Sequence, residues 1–234
     1  MTAGLLSGIG VGPGDPDLIT LKALKALRRA AVVAYPAPPE GASLARSIAA
    51  PHLPGGQEEI AIRMPLEPGS FPAADVYDAA ASTLGARLED GRDVAVLCEG
   101  DPFVYGSFLY LFERLAHRHR VEVIPGVSSP MACAAALGLP LAARNDVLAV
   151  IPAPLDSQRL TAQLANCEAA AIVKVGRHLE KVRRVVSALG LLERAHYVER
   201  ASMAKQRVLP LSAVEPPAPY FSMIIVHKRG AAWR

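Results

Sequence analysis

The stretch GLLSGIGVGPGDPDLITLKALKALRRA, residues 4–30, decides the fold. An apolar run leads into glycines at 8, 10, 12 and 14, and a helical spacing of Leu and Ala follows. Strand, turn and helix in that order open an α/β sheet. A dinucleotide loop would read G-x-G-x-x-G. Counted from Gly8 the third glycine is replaced by Pro13, and counted from Gly10 by Asp15. A P-loop would end in Gly-Lys-Ser/Thr, whereas Asp15-Pro16-Asp17 stands here. Those carboxylates repel phosphate, and prolines have no N–H to offer it. The glycines Gly10, Gly12 and Gly14 therefore read as room at a strand end for a flat or bulky ligand, not as a phosphate cradle. Asp15 or Asp17 serves as a helix cap, with Pro16 tolerated in the first turn.

Outward from this unit the alternation continues. VVAYP is a second strand, a Pro/Gly-rich stretch spans 36–56, EEIAIRM is followed by an alanine-rich helix around 73–89, and VAVLC is a buried strand before the helix SFLYLFERLA. VEVIPG closes the first half, where strand–helix alternation implies a parallel sheet covered on both faces. The second half alternates likewise, through helix SSPMACAAALG, strand DVLAVIPA, helix RLTAQLANC, strand AAAIVKVG, helix LEKVRRVVSALG, and strands HYVERA and YFSMIIV. Prolines in 210–219 mark a surface loop. The fold class is α/β, with two α/β domains, 1–124 and 125–234, meeting at Pro125-Gly126 and leaving a cleft of the kind that ligands favour.

Composition narrows the function. Half of the 234 residues are apolar and aromatics are only 5 %, which describes a globular chain with many small aliphatic contacts. A net charge of +3 is too small for a nucleic-acid protein, which needs a concentrated basic face. No apolar run approaches the roughly 20 residues of a membrane span, and the N-terminus lacks a charged region followed by a hydrophobic region and a cleavage site, so a cytoplasmic enzyme is expected. Cys98, Cys133 and Cys167 are isolated, and the six histidines form no ligand pair, so no metal site is expected.

Two further strand ends raise the question posed by the first. GDPFVYG, residues 100–106, follows VAVLCE, and PGVSS, residues 125–129, follows VEVI. Ligands of α/β sheets collect at such edges. A carboxylate at Asp101 suits a cation, and Ser128 and Ser129 can cap a helix or donate to a ligand.

Taken together, GIGVGPGDPDLITLKA (8–23), VAVLCEGDPFVYGS (94–107), VIPGVSS (123–129) and AAALGLPLA (134–142) resemble the tetrapyrrole methyltransferases, a class III group dependent on S-adenosyl-L-methionine (SAM). Within the family, VVAYPAP and YVERASMAKQ look most like the branch that methylates the meso carbon C20 of precorrin-2 on the cobalamin route. Alternatives are its cobalt-loaded counterpart, another corrin-ring position, or an RNA or protein methyltransferase of the same fold. The resemblance implies a homodimer, a tetrapyrrole substrate, and SAM in the interdomain cleft. Carried over, its SAM contacts fall on Pro13, Gly100, Asp101, Val104, Tyr105, Ser128, Ser129, Val175 and Ala201. Gly10, Gly12, Gly14 and Asp15 would border the substrate, and Arg144 would meet one of its carboxylates, with Arg63, Lys174, Arg177 and Arg200 as further cationic candidates. Val11 and Val175 depart from the small residue and the methionine of many relatives. After methyl transfer C20 loses a proton, for which Glu99, Asp101 and Tyr105 are the acceptors within reach of the motif.

Overall fold

The computed structural model describes residues 3–65 and 73–229. Its contacts divide the chain into two units, Met1–Ser128 and Ser129–Arg234.

The first unit runs β1 (Leu5–Gly10), α1 (Leu21–Arg29), β2 (Val32–Ala37), α2 (Leu44–Ala49), β3 (Glu58–Arg63), α3 (Ala74–Glu89), β4 (Val94–Cys98), α4 (Phe108–Leu115) and β5 (Arg120–Ile124). Its sheet has the order β3-β2-β4-β1-β5, with every pairing parallel. A parallel sheet buries both faces, and the strand pattern obeys: Val94, Val96 and Cys98 face α3 and α4, while Ala95 and Leu97 face α1 and α2. Thr20 caps α1 through Ala23 N–H, and Asp15 caps the short 3₁₀ turn Pro16–Leu18 through Asp17 N–H (2.9 Å). The sequence pattern overlooks α2, which sits within the Pro/Gly-rich stretch; Ser43, accepting from Arg46 N–H, starts it.

The second unit comprises α5 (Ser129–Leu137), β6 (Leu148–Pro152), α6 (Ser157–Ala165), β7 (Ala169–Val173), α7 (Leu179–Ala188), β8 (Ala195–Glu199), β9 (Arg207–Pro210) and β10 (Ser222–His227). Its sheet order is β6-β7-β10-β8-β9. Only β6 and β7 pair in parallel; β10 runs antiparallel between β7 and β8, and β9 folds back on β8. The sheet is thus mixed, because the last strand inserts into its centre rather than joining an edge. One face packs on α6 and α7, the other on α5. The overlooked strand β9 is short, mostly exposed and proline-ended, which gives it no apolar signal.

Candidate active site

In the first unit, β1 lies between β4 and β5, so the carboxyl ends of the three motif-bearing strands are neighbours. Gly12 and Gly100 bridge them: Gly12 N–H donates to Gly100 O (3.3 Å) and Gly100 N–H to Gly12 O (2.8 Å). Both have positive φ, +84° and +66°, a region open to glycine at little cost. A Cβ on Gly10 would stand 2.5 Å from Gly126 N and 2.6 Å from Gly100 O, and one on Gly126 would stand 2.1 Å from Gly100 O. The expectation that these glycines leave room for a ligand is therefore corrected at Gly10. The backbones of neighbouring strand ends already fill that space, and glycine is required so that three chains can touch.

Asp101 fastens the junction. Its Oδ1 accepts from Phe103 N–H (2.9 Å) and its Oδ2 from Gly126 N–H (3.1 Å), so one carboxylate ties the end of β4 to the end of β5. The loop it holds presents Phe103, Val104 and Tyr105 at 49 %, 45 % and 51 % exposure. Phe103 leans edge-on against Phe112 (5.3 Å between ring centres) and near Phe108. Tyr105 has φ 57°, a left-handed conformation that costs a non-glycine residue roughly 1–2 kcal/mol. Exposed apolar surface on a strained loop at a strand end is the form of a ligand platform.

Glu99, half-buried after β4, turns its carboxylate to the start of α2, where it accepts from Ala45 N–H (3.2 Å). Desolvation raises its carboxyl above the ordinary carboxylate range, and the backbone donors offset this only in part. Of the other expected contacts, Pro13 is buried, Gly14, Asp15 and Ser128 are half-buried, and Ser129 is exposed as the first residue of α5.

In the second unit, β7 and β8 run in the same direction, so Val175 and Ala201 follow strand ends on one edge of the sheet. Both are packed into the core, Val175 fully, and neither offers its side chain to solvent. Their basic neighbours Lys174 and Arg200 stand in left-handed backbone, φ 58° and 49°. At β8's end, next to Arg200, is Glu199, a buried carboxylate that sequence reading did not single out. Its Oε1 accepts from Arg200 (3.0 Å) and Arg207 (3.4 Å), and its Oε2 from the Tyr197 hydroxyl (2.7 Å). The hint in the sequence is a charge closing the otherwise apolar strand AHYVE.

Arg144 is placed elsewhere. It precedes β6, and β6 is parallel to β7, so it lies at the opposite edge of this sheet from Val175 and Ala201. The nearby Asp146, whose side chain is fully buried, anchors that edge by pairing with His227 (3.1 Å) and Arg229. Arg63 is also engaged structurally, donating to Pro38 O (2.9 Å) and Gly41 O (3.1 Å). Among the described residues, no group of His, Cys, Asp or Glu is arranged to hold a metal, and no helix is long and apolar enough to cross a membrane.

The family model of the tetrapyrrole (corrin/porphyrin) methylases matches residues 5–215, from the first residue of β1 past β9. The chain belongs to the tetrapyrrole methylases. This methylase is 42 % identical to the precorrin-2 C(20)-methyltransferase of Sinorhizobium sp, over 95 % of each chain. It is 45 % identical to the cobalamin biosynthesis protein CobIJ of Mycobacterium tuberculosis over 95 % of its own length, but spans only about half (46 %) of that protein. Among solved structures, the uroporphyrin-III C-methyl transferase of Thermus thermophilus complexed with S-adenyl homocysteine has a TM-score of 0.71 at 26 % identity, covering 95 % of the methylase and 97 % of the other chain.

Proposed function

We propose that the chain is a SAM-dependent C-methyltransferase that adds a methyl to C20 of precorrin-2, giving precorrin-3A in cobalamin biosynthesis. The observation that carries this reading is the match, along nearly the full length of both chains, to a precorrin-2 C(20)-methyltransferase. A structural relative crystallised with S-adenyl homocysteine supports the choice of cofactor. The residues suit it: an exposed apolar surface at Val104 and Tyr105 against which a purine would pack, hydroxyls at Ser128 and Ser129 that would hydrogen-bond it, and acids at Glu99 and Asp101 whose charge would favour a cationic sulfonium. When bound, SAM supplies an electrophilic methyl group, so the protein needs neither a nucleophile nor a metal.

The chain's own contribution is placement and a proton acceptor. Asp101 acts by holding the loop; both its oxygens already accept backbone N–H groups, which leaves it a poor base. Glu99 is the better acceptor for the C20 proton, because its carboxylate is desolvated and therefore more basic. Substrate contact at Gly12, Gly14 and Asp15 remains part of the proposal, whereas Arg144 is left out because it lies at the far edge of its sheet. The enzyme works as a cytoplasmic homodimer in this reading. Incubation with SAM and precorrin-2, then mass and NMR assignment of the methylated carbon, tests it. A methyl at another ring position, or turnover only of the cobalt-loaded substrate, would replace it.

A further inference from the structure

We infer that Arg200 and Arg207, aligned by the buried Glu199 and flanked by Lys174, form a carboxylate-binding site on the β7–β8 edge of the second unit. Glu199 is 4 % exposed, and a carboxylate at that depth requires charge compensation. One arginine would neutralise it; two contact it, and the Tyr197 hydroxyl occupies its other oxygen. The cluster therefore carries surplus positive charge. Each guanidinium spends one terminal nitrogen, Nη1, on Glu199, while the side chains remain 37 % and 62 % exposed. Remaining N–H groups of a planar fork are suited to a second carboxylate, held bidentately.

The backbone is arranged to keep this geometry. Arg200 holds its left-handed conformation through Arg200 N–H to Phe221 O (2.8 Å) and Met203 N–H to Arg200 O (2.9 Å). Ser202 N–H to Gln206 Oε1 (2.7 Å) closes the turn that brings Arg207 back beside Glu199. Lys174 ends β7, two strand spacings or about 9.5 Å from β8 across β10, a separation that an acid-bearing ligand can span. A hollow of about 420 Å³ walled by Glu199, Arg207, Leu209 and Val214 gives a short acid arm room. Glu215 on its wall offsets the surplus that the two arginines leave over Glu199, so an acid arm is drawn by the unspent N–H groups of the guanidinium forks.

Two sources share this chemistry: the acid arms of the tetrapyrrole and the amino-acid carboxylate of the cofactor. Both rest on the function proposed above, the first on its substrate and the second on its cofactor. The test is titration of the wild-type chain, Arg207→Gln, Arg207→Lys and Arg200→Gln with precorrin-2 under anaerobic conditions and, separately, with S-adenosylhomocysteine. Arg207, exposed on an edge strand, is the variant expected to fold without difficulty. The Gln variants should raise one Kd about tenfold or more, as loss of a charge-assisted bond does, with Lys restoring part of it. A rise for precorrin-2 with the homocysteine unchanged assigns the site to substrate arms, and a rise for the homocysteine assigns it to the cofactor. Both constants unchanged in both Gln variants would overturn the inference. A wild-type chain that binds the homocysteine but not precorrin-2 would remove the substrate reading while the cofactor titration still decides the site.

Discussion

Replacing Gly10 by alanine tests the claim that backbone contact builds the candidate site. The added Cβ would meet Gly126 N at 2.5 Å, Gly100 O at 2.6 Å and Gly126 Cα at 2.6 Å. Comfortable separations between such atoms are about 3.5–4.0 Å, so the ends of β4 and β5 must each retreat by about 1 Å. All three atoms are main chain, and no rotamer change can relieve them. Overpacking of this kind costs about 1–3 kcal/mol. The retreat also strains the Asp101–Gly126 bond and the Gly12–Gly100 bridge, each worth about 1 kcal/mol, for a total of about 3–5 kcal/mol. Gly55→Ala is the control. Its φ of +84° makes alanine unfavourable there too, but nothing lies within 4 Å of its Cβ, so the cost is only about 1–2 kcal/mol of backbone strain. Denaturant unfolding followed by circular dichroism should order wild type, Gly55→Ala and Gly10→Ala by falling midpoint. Calorimetric titration with S-adenosylhomocysteine should show binding lost only in Gly10→Ala. A Gly10→Ala midpoint at or above that of Gly55→Ala, with homocysteine affinity intact, would refute the close-contact account.

Three other outcomes follow from the same geometry. Glu99→Gln should lower kcat and flatten the acid limb of the pH–rate profile, since the wild-type base works only once ionised and its folded pKa is raised by burial. For stability the sign is opposite: an acid with a raised folded pKa loses native stability as pH climbs from its unfolded value through its folded one, so Gln should remove that decline; an unchanged rate profile and unchanged stability slope would dismiss Glu99. Asp101→Ala should weaken homocysteine binding and lower stability by about 2–4 kcal/mol because two backbone donors lose a charged acceptor, whereas Asp101→Asn should keep part of each; full affinity in the Ala variant would show that the latch is dispensable. The native chain should resist thiol titration by a disulfide reagent until denatured, because Cys98, Cys133 and Cys167 are all buried and Cys133 is pushed up to about 12; rapid reaction of any thiol without denaturant would contradict that placement.

The α/β class and the turns that end β1, β4 and β5 were legible because each depends on local pattern. A five-residue apolar strand such as VAVLC, buried at every position, announces a central parallel strand, and Gly, Pro and Asp after it announce a turn. What local pattern cannot carry is pairing. Nothing in YFSMIIV says that it will insert antiparallel between β7 and β8, and that insertion decides which edge each loop of the second unit occupies. Arg144 and Arg200 look equivalent as basic residues near strands, yet topology puts them at opposite edges. Likewise the glycines could be recognised as places of close approach, but not what approaches: Gly126, over a hundred residues away in sequence, is the partner that Gly10 accommodates.

The two sheet edges also differ in the kind of contact they can make, and the difference follows from what terminates their strands. In the first unit, the ends of β1, β4 and β5 are glycines locked against one another, with one carboxylate holding the loop that follows. Contacts made by such a junction come from main chain and from a fixed apolar surface, and a ligand that binds there immobilises few rotamers. In the second unit, strands are followed by long basic side chains, Lys174 and Arg200, whose backbone is left-handed, and the Arg200 head is paired with buried Glu199 yet still partly exposed. Such groups hold acids over a range of positions. The methyl transfer proposed for this chain, a small electrophilic carbon placed against a broad substrate with several acid arms, would use both properties. The first belongs where glycine permits backbone to meet backbone, and the second where a buried glutamate can orient more than one arginine.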